Sequence, residues 1–206
     1  TFSSRGLGDV YKRQVLGSTR NRTLRVIWTL EELGVPYNQI SGTPGSQDIK
    51  AYSKTGKVPA LILDGEVFTD SIAIIYFLSD LHNSLTFPTG SLDRLRMDGH
   101  INFLLEEFDS LLWVAAKNSF INPPDHRIVD IKPVLKWEFE RSLKRLEDRL
   151  NGDFLMGDNF TIADILATHC LNWSIDAKFP EANITLKNYA KRCRGRQAYK
   201  RALADT

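Results

Sequence analysis

The chain has 206 residues, and its 42% hydrophobic and 25% charged residues are typical of a globular protein and exclude a disordered one. The 27 basic and 25 acidic residues leave a net charge of +2, which excludes binding to nucleic acid or to an acidic membrane through bulk charge. The strongest apolar run, residues 72–78, is too short to span a bilayer.

The chain begins with an unusual segment. Residues 1–14 lack an initiator methionine, an apolar segment and a small-residue cleavage site, so they do not form a secretory signal. We expect a non-native or disordered leader over residues 1–14 that has replaced most of a first strand. Only Val15 and Leu16 remain of that strand in this interpretation.

A helix and a short strand are predicted next. Apolar residues recur at helical spacing from Arg22 onwards, and Gly34 stands where a glycine commonly ends a helix. Residues 37–41 fit a short strand, and residues 42–47, rich in Gly, Pro and Ser, fit a loop.

A β-hairpin follows this loop. The apolar run 58–63 and the run 66–69 flank the dipeptide Asp64-Gly65, which favours a tight turn because both of its residues tolerate positive φ. Asp70 stands at the start of the next helical pattern.

These patterns predict two domains. Residues 15–82 form a small α/β domain, and residues 83–90 form a linker rich in Asn, Ser, Pro and Gly. Residues 91–206 contain no convincing strand, and long apolar stripes over 92–120 and 131–150 predict an all-helical bundle.

Cysteine and histidine usage indicates a reduced protein without a metal. Cys170 and Cys193 are too few for a disulfide framework and lack the spacing of metal ligands. The histidines are scattered along the chain, so we expect no metal site. Their positions are His82, His100, His126 and His169.

Two short segments could bind a ligand. If residues 58–63 form an edge strand that starts at Pro59, the backbone N–H and C=O of Val58 stay open for an extended peptide. Asp70 and Ser71 lie at a helix N-terminus, where free N–H groups attract a carboxylate and the Asp70 side chain attracts an amino group. An ordinary strand start and a plain helix N-cap are the alternatives.

Together and in this order, the segments resemble the bacterial, cytosolic glutathione S-transferase family. The matching segments are the first helix (24–37), the turn 56–61, the pair 70–71, the capping box 160–164 and the terminal segment 196–202. The resemblance implies a thioredoxin-like domain that binds glutathione, followed by a helical domain that helps to bind an electrophile.

The resemblance also assigns the glutathione-binding residues. It implies that Val58 pairs its backbone with the cysteinyl part of glutathione and that Pro59 is cis. It implies that Asp70 and Ser71 hold the γ-glutamyl end and that Lys57 contacts the ligand nearby.

The residue that activates the thiol departs from the family pattern. Arg20 stands at the best-aligned position, where the family has Ser, Cys or Tyr. We expect Ser18 to donate the activating hydrogen bond, with Asn21 and Arg20 as substitutes. Ser53-Lys54 also replaces the Asn-Pro that usually precedes the Gly-Lys turn.

The resemblance implies a cytoplasmic, homodimeric detoxification enzyme. Such a transferase of alkyl or aryl groups other than methyl joins glutathione, its co-substrate, to a small hydrophobic electrophile, or reduces a peroxide. Phe108 and Trp113 are candidates for the electrophile pocket, although an apolar stripe also fits a core or a dimer interface. We expect no metal, nucleic acid or membrane partner.

Two other functions fit the same sequence. Arg20 in place of a hydroxyl favours a glutathione-binding protein without catalysis. A module that docks protein partners through its helical domain is the second alternative.

Overall fold

A computed structural model describes residues 13–204 of the chain. Its contacts divide this range into two compact units, one of residues 13–84 and 196–204 and the other of residues Leu85–Gly195. None of the helices in the described range is both long enough and apolar enough to cross a membrane. The helices are α1 (Thr23–Leu33), α2 (Gln47–Lys50), α3 (Ser71–His82), α4 (Leu92–Leu104), α5 (Ser110–Ala116), α6 (Ile131–Arg149), α7 (Ile162–Asp176), α8 (Ile184–Arg194) and α9 (Gln197–Ala204).

The first unit contains a four-stranded mixed sheet in the order β2-β1-β3-β4. Strand β1 runs parallel to β2 and antiparallel to β3, and β3 runs antiparallel to β4. Asp64 and Gly65 join the last two strands with φ of 48° and 90°, which confirms the predicted hairpin. The strands are β1 (Arg13–Leu16), β2 (Asn38–Ile40), β3 (Ala60–Leu63) and β4 (Glu66–Thr69).

Strand β1 begins earlier than the sequence indicates. Arg13 and Gln14, the last two residues of the predicted leader, pair with Leu63 and Ile62 across the sheet. This pairing makes the strand two residues longer than the predicted Val15 and Leu16. The rest of the predicted leader, residues 1–12, lies outside the described residues.

Strand β3 is not the edge strand that the sequence predicted. It lies between β1 and β4, and all of its residues are buried. An apolar strand of this kind gains most from neighbours on both sides. Val58 nevertheless precedes the first strand residue, Ala60, so its backbone lies outside the ladder.

Helix α1 is enclosed by the rest of the first unit. Every residue from Thr23 to Leu30 is buried, because the helix packs against β1, α3 and α9. Gly34 ends the helix with φ of 65°, as the sequence predicted. The predicted loop 42–47 leads into α2, a short helix that begins after the N-cap Ser46.

Helix α9 belongs to the first unit, although the sequence pattern grouped it with the helical second half. The rings of Trp28 and Tyr199 make an edge-to-face contact with centroids 4.7 Å apart. Arg196 donates two hydrogen bonds to the Glu32 carboxylate, at 2.6 and 2.7 Å. These contacts join α9 to α1. The domain limits given in the sequence analysis, 15–82 and 91–206, stay a prediction.

The second unit is helical, so the predicted order of an α/β domain and then a helical domain is confirmed. Residues 92–121 form one continuous helical segment, as the first apolar stripe indicated, but two stretches of it, Leu105–Asp109 and Lys117–Ile121, are π-helical. Ser119 Oγ donates to the Ala115 carbonyl at 2.5 Å, and Asn118 Nδ2 donates to the Val114 carbonyl at 2.9 Å. Side chains that bond in this way to the carbonyl four residues earlier compete with the regular backbone hydrogen bonds of a helix.

The predicted capping box at the start of α7 is confirmed. Asp164 Oδ2 accepts hydrogen bonds from the backbone N–H and Oγ1 of Thr161, at 2.8 and 3.2 Å. Asp164 Oδ1 accepts two more, from Leu155 N–H and the Tyr189 hydroxyl. Burial raises the pKa of Asp164, although these hydrogen bonds act in the opposite direction.

We expect Tyr199→Ala to lower the free energy of unfolding by about 3 kcal/mol, because it removes a buried ring from the contact with Trp28. Denaturant unfolding followed by Trp fluorescence measures the change. Lys200→Ala, at an exposed position of the same helix, is the control and should change stability by less than about 0.5 kcal/mol. Equal effects of the two substitutions would contradict the assignment of α9 to the first unit.

Candidate functional site

The residues predicted to activate a thiol lie in the loop between β1 and α1. Thr23 donates to Asn21 Oδ1 from its backbone N–H and from Oγ1, at 2.9 and 2.6 Å. Asn21 Nδ2 in turn donates to Ser18 Oγ at 3.4 Å. Because Ser18 Oγ accepts this hydrogen bond, its own hydroxyl hydrogen is left to point elsewhere. Arg20, the third candidate, is exposed.

Gly17 lies in this loop and packs against Val58, the residue that follows Gly56-Lys57. Its φ is 123°, a conformation that favours glycine. A Cβ atom at Gly17 would lie 2.2 Å from Thr23 Oγ1 and 3.0 Å from Val58 Cβ. The lack of a side chain at Gly17 therefore lets the loop between β1 and α1 lie beside Val58.

Val58 presents its backbone as the sequence predicted, although for a different reason. Its peptide bond to Pro59 is cis. Neither the N–H nor the C=O of Val58 has a backbone hydrogen bond among residues 13–204. Pro59 is buried, whereas Lys57 is exposed and its backbone N–H donates to Thr55 Oγ1 at 3.3 Å.

Asp70 caps helix α3. Its Oδ1 accepts hydrogen bonds from Ile72 N–H at 2.9 Å and from Ala73 N–H at 3.1 Å, which is the structural role that the sequence left open. The side chain is exposed, so Oδ2 remains accessible to a cation. The N–H of Ser71 belongs to the first turn of the helix, where backbone donors favour an anion.

The buried side chain of Arg25 contacts the N-terminus of α3. Its Nη1 donates to Ser71 Oγ at 3.2 Å, and the residue is only 1% exposed. The Ser71 hydroxyl can accept this bond and still donate its hydrogen to a ligand carboxylate. The buried guanidinium also adds positive charge near the position that a carboxylate would occupy.

The two predicted pocket residues of the helical unit differ from each other. Phe108 is fully buried and makes edge-to-face contacts with Phe103 and Phe139, with centroids 5.7 and 5.0 Å away. Phe108 is therefore a core residue of this unit rather than a pocket wall, because no part of its ring reaches solvent. Trp113 is partly exposed, and its role in a pocket stays a prediction.

Three residues of the site were missed by sequence reasoning. Gly17 and Thr23 act through contacts that only the folded loop reveals. Arg25 could have been found from the sequence, because it is the one charged residue in the stretch 24–30 of the predicted helix. A buried cation needs a partner, and Ser71 supplies one polar contact.

Two family models match the chain. Residues 21–86 match the model described as the N-terminal domain of glutathione S-transferase, and residues 131–196 match the model of its C-terminal domain. Together the two matches cover more than half of the chain. No curated protein sequence matches it.

Several solved structures are similar to this chain over more than nine tenths of its length. A glutathione transferase from Methylococcus capsulatus strain Bath is 25% identical, with 92% of this chain and 96% of that chain covered and a TM-score of 0.80. A sphingomonad glutathione S-transferase in complex with glutathione is also 25% identical, with 93% and 98% covered and a TM-score of 0.79. Ure2p in complex with glutathione, at 18% identity with 96% and 95% covered and a TM-score of 0.77, shares the fold.

We expect Gly17→Ala to lower the free energy of unfolding by about 2 kcal/mol, because an added Cβ meets Thr23 and Val58 and the positive φ disfavours alanine. Denaturant unfolding measures this change. Gly99→Ala is the control, since a Cβ at that helical position meets nothing within 4 Å, and there alanine should be neutral or stabilising. A tolerated Gly17→Ala would mean that the loop and Val58 do not pack closely.

Proposed function

The chain belongs to the glutathione S-transferase family, and on this premise we propose that it is a glutathione transferase acting on small hydrophobic electrophiles. Glutathione binds to the first unit along Val58, Asp70 and Ser71. The single observation that carries the proposal is the hydrogen-bond series Thr23–Asn21–Ser18 beside Val58, because it orients a hydroxyl donor next to a peptide-binding backbone.

The chemistry is nucleophilic attack by the glutathione thiolate. The thiol first loses its proton to solvent, and the thiolate sulfur then bonds to an electrophilic carbon while the leaving group departs with its electron pair. The protein forms no covalent intermediate of its own in this scheme. It lowers the pKa of the bound thiol and holds the nucleophile in place.

Ser18 is the proposed thiolate donor. Its Oγ accepts from Asn21 Nδ2, so its O–H can donate to the sulfur. Asn21 orients Ser18 and is itself oriented by the two hydrogen bonds from Thr23. Arg20 is exposed and can approach the anion only by moving its side chain.

The recognition of glutathione follows from its chemistry. The unpaired N–H and C=O of Val58 match the backbone of the cysteinyl residue, which binds as a short added strand. The Ser71 N–H and hydroxyl match the γ-glutamyl carboxylate, and Asp70 Oδ2 matches its ammonium group. Lys57 lies next to Val58 and is exposed, so it can reach a ligand carboxylate.

A glutathione-binding protein without catalysis is the second candidate. It is favoured by Arg20, which occupies the position where the family places its thiol-activating residue. The two candidates differ in the state of the bound sulfur, because only the transferase stabilises the thiolate.

We also propose a homodimer in the cytoplasm that acts in detoxification. The support for the dimer is a set of large apolar side chains on each unit that a monomer leaves exposed to water. Phe68 and Phe77 of the first unit are 39% and 43% exposed, and Leu92 and Leu95 of the second are both 68% exposed. Sedimentation equilibrium of the full chain measures the oligomeric state.

We expect Ser18→Ala to raise the pKa of the bound glutathione thiol by about one, because one hydrogen bond to the thiolate contributes about 1–2 kcal/mol. Ultraviolet absorbance of the thiolate against pH measures this pKa. At pH values below this pKa, Ser18→Ala should conjugate about ten-fold more slowly than the unaltered chain. The difference between the two rates should become smaller at alkaline pH, where the thiol ionises without a hydrogen-bond donor.

Ser18→Thr is the matched control, since it keeps the hydroxyl and should keep most of the activity. If Ser18→Ala leaves the thiol pKa unchanged while Arg20→Ala or Asn21→Ala raises it, the donor assignment is wrong. If glutathione binds to the unaltered chain with no thiolate absorbance near neutral pH, the second candidate function is correct.

We expect Asp70→Asn to weaken glutathione binding about ten-fold while leaving helix α3 capped. Asparagine caps helices as well as aspartate does, but it loses the charge that attracts the γ-glutamyl ammonium group. Calorimetric titration measures the affinity, and thermal unfolding reports the cap. Asp48→Asn removes an exposed charge of the same unit and should bind normally. Unchanged affinity of Asp70→Asn would leave Asp70 as an N-cap only.

A further inference from the structure

Three side chains with metal-binding atoms converge inside the helical unit. One ligand atom each of Asp109, His169 and Cys170 lies within 4.8 Å of the other two. All three residues are buried, with exposed fractions of 8%, 7% and 0%. None of them belongs to the proposed glutathione site.

The local backbone explains how these residues meet. Asp109 is the last residue of the first π-helical stretch, where the changed helical register redirects the side chains that follow. His169 and Cys170 are neighbours in α7, within the uninterrupted buried run from Thr161 to Leu171. Neighbouring side chains of an α-helix point about 100° apart, yet one ligand atom of His169 and one of Cys170 lie within 4.8 Å of each other and of Asp109.

The donor set selects a particular kind of ion. A thiolate sulfur, an imidazole nitrogen and a carboxylate oxygen are the ligands of Zn²⁺, whereas Mg²⁺ and Ca²⁺ prefer oxygen alone. A thiolate and a carboxylate also balance a divalent charge when the imidazole is neutral. The loaded cluster is therefore neutral, which suits its buried surroundings.

We propose that Asp109, His169 and Cys170 form a zinc site in the helical unit. Ligand atoms of a tetrahedral zinc site lie about 3.3–3.8 Å apart, so the side chains need to approach each other by about 1 Å. Three protein ligands leave the fourth position to water.

The same residues can be arranged without a metal, as a buried Asp–His pair beside a neutral thiol. The two arrangements differ in what Cys170 does. In the zinc site Cys170 binds as a thiolate and releases its proton when the ion enters. In the metal-free arrangement it stays a small apolar side chain that no divalent ion protects.

Titration of the full chain with Co²⁺, after treatment with a chelator, tests the proposal. We expect one equivalent to bind with a thiolate-to-cobalt charge-transfer absorption that Zn²⁺ removes. Cys170→Ser should abolish this absorption, and Asp109→Asn should weaken Co²⁺ binding at least ten-fold. No binding, or an absorption that survives Cys170→Ser, would overturn the proposal.

Cys193→Ser and His100→Gln are the matched controls. Cys193 is the other buried cysteine of the unit, and burial raises its pKa to about 12, so its thiol stays protonated. Both controls should bind Co²⁺ as the unaltered chain does. A control that loses binding while Cys170→Ser keeps it would place the ion elsewhere and overturn the proposal.

A second measurement needs no variant and covers the case in which Cys170→Ser fails to fold. Alkylation of the unaltered chain, mapped by mass spectrometry, compares the two cysteines with and without Zn²⁺. We expect Zn²⁺ to slow the modification of Cys170 at least ten-fold more than that of Cys193. Equal protection of the two would reflect general stabilisation of the fold and would overturn the zinc site.

Discussion

The complete burial of helix α1 is the constraint on which the first unit depends. Eight consecutive residues, Thr23 to Leu30, have no exposed face, so the sheet, α3 and α9 must all be in place around them. A helix buried all round cannot rotate or slide without opening a cavity or a clash. Its two ends are therefore held at fixed positions within the unit.

The candidate glutathione site uses this rigidity. Thr23, at the first position of α1, holds Asn21 and through it Ser18, while Arg25, two residues further on, contacts Ser71 at the start of α3. The proposed donor to the sulfur and the proposed donors to the γ-glutamyl carboxylate are thus both positioned from one helix. Such preorganisation removes the need to order these groups when a ligand binds.

The sequence predicted most strongly what is decided by neighbouring residues. The Asp64-Gly65 turn, the Gly34 helix end and the Asp164 capping box follow from the conformations and hydrogen bonds of a few adjacent residues, and each is found. An edge position for strand β3 was considered because Pro59 stands at its start, whereas the strand lies between β1 and β4. Pairing across a sheet joins residues far apart in the chain, which no local pattern encodes.

The candidate sites divide in the same way. Val58, Asp70 and Ser71 could be selected from local chemistry and family resemblance, but the supporting contacts of Gly17, Thr23 and Arg25 arise only after folding. The cluster of Asp109, His169 and Cys170 was still harder to predict, because Asp109 lies 60 residues before His169 and the three follow no known ligand spacing. The π-helical register beside Asp109 has no sequence signature that would have indicated it.

The return of α9 to the first unit has a consequence for synthesis on the ribosome. Glu32 and Arg196 are separated by 164 residues, so α1 waits for its partner helix until the whole second unit has been translated. During that interval the face of Trp28 that Tyr199 covers in the folded chain lacks this contact. Apolar surface that is uncovered in this way promotes aggregation, so the late arrival of α9 makes the nascent chain vulnerable while the second unit is translated.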